Sequence, residues 1–182
     1  MKYVVAAIVA VIFLASFGLT RDKAENISAN NQVGFVESCD QINIDPKITS
    51  GTKFQCLDGK SEVILEAIRG PVLINVWGSW CPPCKLEMPF LVALAQSKKV
   101  AIVGINIDEP DMATPRDFVV QQGITWPNLF DDDGRSKGTF GFGVPVTWFI
   151  DASGKVTYRH IGVIASQEIL FAEVEKYLGI KV

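Results

Sequence analysis

The sequence predicts an α/β domain with a mixed central β-sheet flanked by helices, for three reasons. Residues 72–77 and 100–107 are apolar, β-branched runs that suit strands buried on both faces. A helical pattern separates these runs, so residues 73–107 are expected to form a right-handed crossover between parallel strands. A hairpin predicted over residues 145–161 adds antiparallel strands to the same sheet.

Size and charge limit the classes of function that the chain can serve. It has 182 residues, of which 48% are hydrophobic, and a net charge of −3. This is enough for one ordinary domain and an additional segment. The small negative charge gives no electrostatic reason to expect a nucleic-acid partner.

Residues 1–21 have the composition of a signal peptide or a membrane anchor, and either would export the rest of the chain. Residues 3–19 carry no charge and would span about 25 Å as a helix, just short of a typical hydrocarbon core. Phe17 interrupts the small residues of a cleavage site, which favours the anchor. A buried core helix is disfavoured by the N-terminal position. Residues 22–37 are polar and are predicted to form a tether to a domain at 38–182.

Four cysteines form an even set, which on an exported chain favours disulfides. Three pairings are possible. The two-residue spacing makes Cys81 and Cys84 the natural local pair, which leaves Cys39 and Cys56 for a second bridge. Closing that loop contributes about 3 kcal/mol in the unfolded-state entropy model. A structural bridge is the favoured interpretation, because neither Cys39 nor Cys56 has an activating sequence context.

The stretch Cys81-Pro82-Pro83-Cys84 directly follows the first predicted strand and opens a helix. Proline suits the first helical turn, where its missing N–H would have no partner. Cys81 is then expected at a helix N-terminus, where free N–H groups and the helix dipole favour a thiolate. Since a thiolate is the nucleophile of disulfide exchange, the stretch predicts a dithiol redox site.

The elements around this site follow from local signals. Residues 57–60 are predicted to form a turn and residues 61–69 a short strand or helical turn. The helix that opens at the dithiol is predicted over 82–97, with a kink at Pro89. Thr114 and Pro115 are predicted to start a second helix.

The C-terminal part is predicted with equal detail. Gly123 would end the second helix. Asp131-Asp132-Asp133-Gly134 is predicted to be a turn, because the calcium-loop pattern would need a Glu where Phe142 stands. A strand from Pro145, a turn at 151–154 and a strand at 155–161 make the hairpin. Ser166 is predicted to cap a final helix that ends at Gly179.

Two sequence stretches carry a family resemblance. Trp80-Cys81-Pro82-Pro83-Cys84-Lys85 and Gly143-Val144-Pro145-Val146-Thr147 resemble a thioredoxin-fold protein. The sequences VWGSWC (76–81), FDDDG (130–134), FIDASGK (149–155) and YRH (158–160), with Glu87 and Pro89, resemble the TlpA/ResA/DsbE (CcmG) group. The resemblance covers about residues 55–180. It implies a thioredoxin-like three-layer fold and an exported, usually membrane-tethered thiol–disulfide oxidoreductase.

The resemblance also implies roles for individual residues. Cys81 matches the exposed nucleophile and Cys84 the resolving cysteine, with Pro82 and Pro83 between them. Pro145, after Val144, matches the cis-proline that faces the dithiol and helps to hold the substrate strand.

For four further residues, the expected role is in the site, in the packing of the domain, or at its surface. Asn75 occupies the position where thioredoxin has a buried acid. Glu87 matches an acid placed near the dithiol, one helical turn after Cys84, although the spacing alone equally allows a solvated carboxylate. Trp80 is expected to pack in the core, to line the substrate groove, or both. For His160, the only histidine, a structural or surface role is expected rather than catalysis.

Three functional hypotheses follow. The first is a reductase of apocytochrome c cysteines in cytochrome c maturation, recharged by a membrane electron donor at the extracytoplasmic face of a bacterial membrane. The second is an oxidant or isomerase of other exported proteins, by the same exchange chemistry. The third and weakest is a structural module whose four cysteines bind zinc, since only one pair has a short spacing. The redox-active disulfide itself is expected to serve in place of a cofactor, and no metal site is predicted.

Overall fold

The computed structural model describes residues 35–182, so the predicted anchor at 1–21 and most of the predicted tether lie outside the described residues. The strands are β1 (Lys53–Cys56), β2 (Glu62–Ile64), β3 (Val72–Trp77), β4 (Ala101–Ile107), β5 (Asn128–Asp131), β6 (Val146–Ile150) and β7 (Val156–Ile161). The helices are α1 (Pro82–Ser97), α2 (Ala113–Gln121), α3 (Lys137–Phe140) and α4 (Gln167–Leu178). Within residues 35–182, every helix is too short or too polar to cross a membrane.

Seven strands form one sheet in the order β2-β1-β5-β4-β3-β6-β7. Strands β3, β4 and β5 are mutually parallel, whereas β6 and β7 form an antiparallel hairpin beside β3. Strands β1 and β2 pair antiparallel at the other edge. The predicted mixed sheet flanked by helices is therefore confirmed. Every residue of β3 is buried, as its continuous apolar pattern predicted.

The two faces of the sheet carry separate hydrophobic clusters. Leu73 and Trp77 of β3 belong to the cluster packed by α1, α2 and α4, which we call the dithiol-side cluster because it includes Cys81 and Cys84. Both crossovers from β3 to β5 step in the same direction, so their right-handed connections place α1 and α2 on one face. Val72, Ile74 and Val76, which alternate with the dithiol-side residues along β3, face the opposite cluster. Short 3₁₀ turns and α3 cover that cluster.

Helices α1 and α4 begin and end where their sequence signals predicted. The Ser166 hydroxyl accepts a hydrogen bond from the Ile169 N–H, and Gly179 ends α4 in the left-handed conformation. The predicted start of α2, with Thr114 as the cap and Pro115 as the first helical residue, is wrong by two residues, because the N-cap position is Met112. The first N–H groups of the helix, those of Ala113 and Thr114, donate to Asp111 Oδ1 at 2.8 and 2.9 Å.

Strand β5 has no counterpart in the sequence prediction, because it carries polar residues in a fully buried strand. The Asn128 Oδ1 accepts the indole N–H of Trp77 at 3.0 Å, and its Nδ2 donates to the Trp126 carbonyl at 2.7 Å. Asp131 accepts hydrogen bonds from the backbone and hydroxyl of Ser136. These partners satisfy polar groups that would otherwise make a buried strand unfavourable.

The Trp77–Asn128 hydrogen bond exists only because β4 carries glycine between the two side chains. A Cβ atom at Gly104 would lie 1.8 Å from Asn128 Oδ1 and 2.8 Å from Trp77 Nε1. The side chains of Trp77 on β3 and Asn128 on β5 thus meet over Gly104 of β4. Trp77 is the last residue of β3, shortly before the dithiol.

Candidate active site

The disulfide between Cys81 and Cys84 lies at the N-terminus of α1. Cys81 is the capping residue, and its Sγ accepts the backbone N–H of Cys84 at 3.1 Å. Pro82 and Pro83 form the first two helical positions, where their lack of an N–H costs no hydrogen bond. When the disulfide is reduced, the same N–H and the helix dipole stabilise a thiolate on Cys81.

The two cysteines of the disulfide are less exposed to solvent than the sequence analysis predicted. Cys81 is 2% exposed and Cys84 is 0% exposed, so the description of Cys81 as an exposed nucleophile is wrong for the oxidised form. The physical reason is that Cys81 Sγ is bonded to the buried Cys84 and accepts its N–H, so the side chain packs in the dithiol-side cluster. Cys81 nevertheless precedes the helix, whereas Cys84 lies inside its first turn.

The loop before the disulfide is held by an acid that the sequence did not single out. Glu109, in the loop after β4, accepts the Ser79 N–H through Oε1 at 2.6 Å. The Trp80 indole Nε1 lies 3.4 Å from the Ile107 carbonyl at the end of β4, and the side chain is half-exposed. Trp80 therefore both closes the loop and presents an apolar surface next to the dithiol. The signal that was available for Glu109 is its place just after a buried parallel strand, whose carboxyl end meets that of β3.

Glu87 is fully buried on α1, which excludes the alternative of a solvated helix-face carboxylate. Its Oε1 accepts the Asn75 Nδ2–H at 2.8 Å and its Oε2 accepts the Ile164 backbone N–H at 3.0 Å. Loss of solvation raises the pKa of Glu87 to about 7, while these hydrogen bonds and the charge of His160 act in the opposite direction. A carboxyl group that exchanges its proton near neutral pH therefore lies one turn after Cys84.

Two buried polar residues of the sheet, Asn75 and Thr147, lie next to Glu87 in a chain of hydrogen bonds. Asn75 is 0% exposed and also donates to the Thr147 hydroxyl at 3.0 Å, across the β3–β6 pair. Its own Oδ1 has no partner among the described residues. Thr147, which is also 0% exposed, is a site residue that sequence reasoning missed, because its role depends on the register of two strands.

The loop before β6 has the expected cis peptide bond between Val144 and Pro145. Val144 packs against the dithiol-side cluster. The Pro145 carbonyl accepts the Gly162 N–H at 3.0 Å, so the loop is tied to the end of β7. Phe142, two residues before Val144, is 89% exposed.

The second disulfide joins Cys39 and Cys56 and belongs to the cluster on the opposite face of the sheet. Both cysteines are buried, at 4% and 0% exposed. Burial in a cluster separate from the dithiol-side cluster agrees with a bridge that stabilises the fold. With all four cysteines in disulfides, the zinc hypothesis has no free thiolate ligands.

The acidic stretch and the single histidine have ordinary polar partners. Asp133 forms an ion pair with Arg135, 2.7 Å from the guanidinium Nε, which agrees with the predicted turn. His160 lies on β7 with Nδ1 2.9 Å from a Glu173 carboxylate oxygen, and its side chain is 17% exposed.

Known proteins resemble this chain over the part that contains the dithiol and the cis-proline loop. The model of the AhpC/TSA family matches residues 49–159. The thiol-disulfide oxidoreductase ResA of Bacillus thuringiensis is 36% identical over 118 residues, which are 62% of this chain and 67% of that protein. The thiol:disulfide interchange protein DsbE homolog of Paracoccus denitrificans is 33% identical over 131 residues, which are 68% and 71% of the two chains.

A solved structure has the same fold. It is a secreted Mycobacterium tuberculosis disulfide oxidoreductase described as homologous to Escherichia coli DsbE. The TM-score is 0.61 at 25% identity, and the match covers 69% of this chain and 95% of that one.

Proposed function

Because the chain belongs to the AhpC/TSA family and is a thiol–disulfide oxidoreductase of the ResA and DsbE type, we propose that it reduces disulfides of exported proteins. The proposed clients are the haem-binding cysteines of apocytochrome c, in the sequence Cys-x-x-Cys-His. The proposed site is the Cys81–Cys84 pair with Glu87.

The observation that carries the proposal is the fully buried carboxyl group of Glu87, which lies on α1 one helical turn after Cys84. DsbA is a strong oxidant because its reduced form is stabilised. An ionised carboxylate near the pair has the opposite effect, since its negative charge disfavours a second negative charge on a thiolate. The dithiol is then a better electron donor, as a reductase requires.

The exchange proceeds through a mixed disulfide. The Cys81 thiolate attacks one sulfur of the client disulfide, the client S–S bond breaks, and the second client sulfur leaves as a thiolate that takes a proton. Cys84 then loses its proton to the Glu87 carboxylate and attacks Cys81 Sγ. The Cys81–Cys84 bond forms as the bond between Cys81 and the client breaks, and the first client sulfur leaves as a thiolate that takes the proton from Glu87. Two electrons have then passed to the client, and Glu87 is again a carboxylate.

The remaining residues position these groups. Pro82 and Pro83 fix the start of α1 so that Cys84 N–H points at Cys81 Sγ. Trp80, Val144 and Pro145 are proposed to hold the client strand next to Cys81, and Asn75 holds Glu87.

The place of action is proposed to be the extracytoplasmic face of a bacterial membrane. Residues 1–21 have the composition of a signal or anchor, and a structural relative is described as secreted. A membrane electron donor would return the Cys81–Cys84 disulfide to the dithiol after each turnover.

The test is the reduction potential of the Cys81–Cys84 pair, measured by glutathione titration with alkylation and mass spectrometry to separate it from Cys39–Cys56. A value near that of thioredoxin, about −270 mV, supports the reductase. A value near that of DsbA, about −120 mV, overturns it in favour of an oxidant of exported clients.

The client is tested separately with disulfide peptides. A peptide containing Cys-x-x-Cys-His should be reduced faster than one with the same cysteine spacing in an unrelated sequence. Equal rates would indicate a general reductase.

A further inference from the structure

One peptide group, that of Val163 and Ile164, connects the surface of the domain with its buried acid. The Val163 carbonyl lies 3.3 Å from His160 Nε2, and the Ile164 N–H donates to Glu87 Oε2 at 3.0 Å. One contact uses the C=O of this peptide group and the other uses its N–H. The other ring nitrogen of His160 lies 2.9 and 3.1 Å from the two carboxylate oxygens of Glu173. The contacts therefore run without a break from Glu173 to Glu87.

The two acceptors beside the His160 ring match the two donors of a protonated imidazole. The Val163 carbonyl faces Nε2, and the Glu173 carboxylate faces Nδ1. A neutral ring can donate to only one of these acceptors, so protonation of His160 completes both contacts.

The segment that carries the peptide group is held in place on both sides. Gly162 has a φ of 98°, which L side chains rarely adopt, and its N–H donates to the Pro145 carbonyl at 3.0 Å. The segment between β7 and α4 thus contacts the cis-proline loop through the Gly162 N–H and contacts Glu87 through the Ile164 N–H.

The ionisable groups around this chain of contacts come from three elements. Glu173, Lys176 and Tyr177 lie on α4, with Tyr177 stacked on Tyr158 of β7 and Lys176 Nζ 4.9 Å from the centre of the Tyr177 ring. Tyr158 also lies against the His160 ring, at 6.4 Å between centroids. From α1 the group is Glu87, since Cys84 one turn before it is held in the disulfide. Arg159 alternates to the other face of β7, where its guanidinium lies 4.4 Å from the Trp148 ring.

We propose that His160 is a positioning residue for Glu87: held by Glu173, its ring orients and polarises the Val163–Ile164 peptide group that binds the Glu87 carboxylate. This inference rests on the proposed role of Glu87 in the exchange reaction. It assigns to His160 a function in place of the structural or surface role expected from the sequence.

The direction of the effect follows from the charges. A donor to the Val163 carbonyl makes the Ile164 N–H a stronger donor, because hydrogen bonds in series polarise one another. Both the stronger N–H and the positive ring favour the ionised form of Glu87, against the burial that raises its pKa to about 7. Removing His160 therefore shifts the titration of Glu87 to higher pH.

The experiment compares His160→Gln with Arg159→Gln in the full-length protein. Each replaces a basic side chain of β7 by the same amide, but only His160 contacts the Val163–Ile164 peptide group. The titration of the Glu87 carboxyl is followed by carbon-13 NMR of glutamate-labelled protein, with Glu87→Gln to assign the signal. His160→Gln should raise the midpoint by roughly half a pH unit or more, whereas Arg159→Gln should leave it unchanged. Equal midpoints in all three proteins would overturn the proposal.

A measurement on the unaltered protein covers the case in which His160→Gln does not fold. With one histidine in the chain, the ring resonances are unambiguous, and the Ile164 amide proton should respond to the titrations of both His160 and Glu87. An Ile164 amide that follows Glu87 alone would contradict the connection.

The activity profile distinguishes this inference from the proposed function. If Glu87→Gln leaves the pH dependence of disulfide exchange unchanged, the role of Glu87 fails whatever the NMR shows. If Glu87→Gln alters that profile and His160→Gln does not move the Glu87 midpoint, only the His160 inference fails.

Discussion

Asn75 donates its side-chain N–H to the carboxylate of Glu87 across 2.8 Å, joining β3 to α1 where neither residue is exposed to solvent. The amide takes the position where the resemblance to thioredoxin implies an acid. An amide can share this buried space with a carboxylate because it adds a donor and no charge. A second acid here would compete with Glu87 for one proton.

Asn75→Asp should therefore raise the pKa of Glu87 above its value of about 7. The substitution removes a donor that favours the ionised form and adds a like charge at hydrogen-bond distance. The pH dependence of disulfide exchange should move to higher pH. Thr147→Val is the matched control, since it removes the other partner of Asn75 and keeps the bond to Glu87. A profile that moves equally in both variants would contradict this account.

The buried Glu87 should also make the stability of the fold depend on pH. Its pKa is raised from 4.5 to about 7, so between these values the folded protein holds a proton that the unfolded chain has lost. The stabilisation is complete below pH 4.5 and is lost as the pH rises to 7, at up to about 1.4 kcal/mol per pH unit. Urea unfolding at pH 5, 6 and 7 should show this slope in the wild type and a smaller slope in Glu87→Gln. Parallel curves would contradict the raised pKa.

Cys84→Ser should accumulate mixed disulfides with clients, because Cys81 still attacks and nothing resolves the product. The complexes should be visible on non-reducing gels and disappear on reduction. Cys81→Ser with Cys84 retained is the control and should capture nothing. Capture through Cys84 in the Cys81→Ser variant would reverse the assigned roles.

Replacing both Cys39 and Cys56 by serine should lower the free energy of unfolding by about 3 kcal/mol, the loop-closure value. Turnover of a disulfide peptide should be retained, since this bridge belongs to the cluster on the face opposite the dithiol. Denaturant unfolding and the peptide assay are to be run on the same preparation. Loss of turnover in a variant that remains folded would give the second bridge a redox role.

The sequence predicted the elements whose signals are local. The continuous apolar runs marked β3 and β4, and the capping serine and terminal glycine marked α4. Strand β5 was missed because its buried Asn128 is acceptable only with Trp77 and Trp126 beside it. Such partners come from distant parts of the chain, so no local pattern reports them.

The same limit applies to the candidate site. The dithiol and Pro145 could be predicted, because each is a short motif with its own chemistry. The burial of Glu87 could not, since the spacing from Cys84 is the same for a buried and a solvated carboxylate. The contact of His160 with the Val163 carbonyl depends on the turn after β7, which forms only when Gly162 meets the Pro145 loop.

Gly104 restricts how this sequence can diverge. Any side chain there would occupy the space of Asn128 Oδ1, so the two positions cannot change independently. A descendant that gains alanine at 104 must first lose the asparagine at 128, which leaves the Trp77 indole without its acceptor. Glycine at 104, asparagine at 128 and tryptophan at 77 are therefore expected to be inherited as a set, or replaced as one.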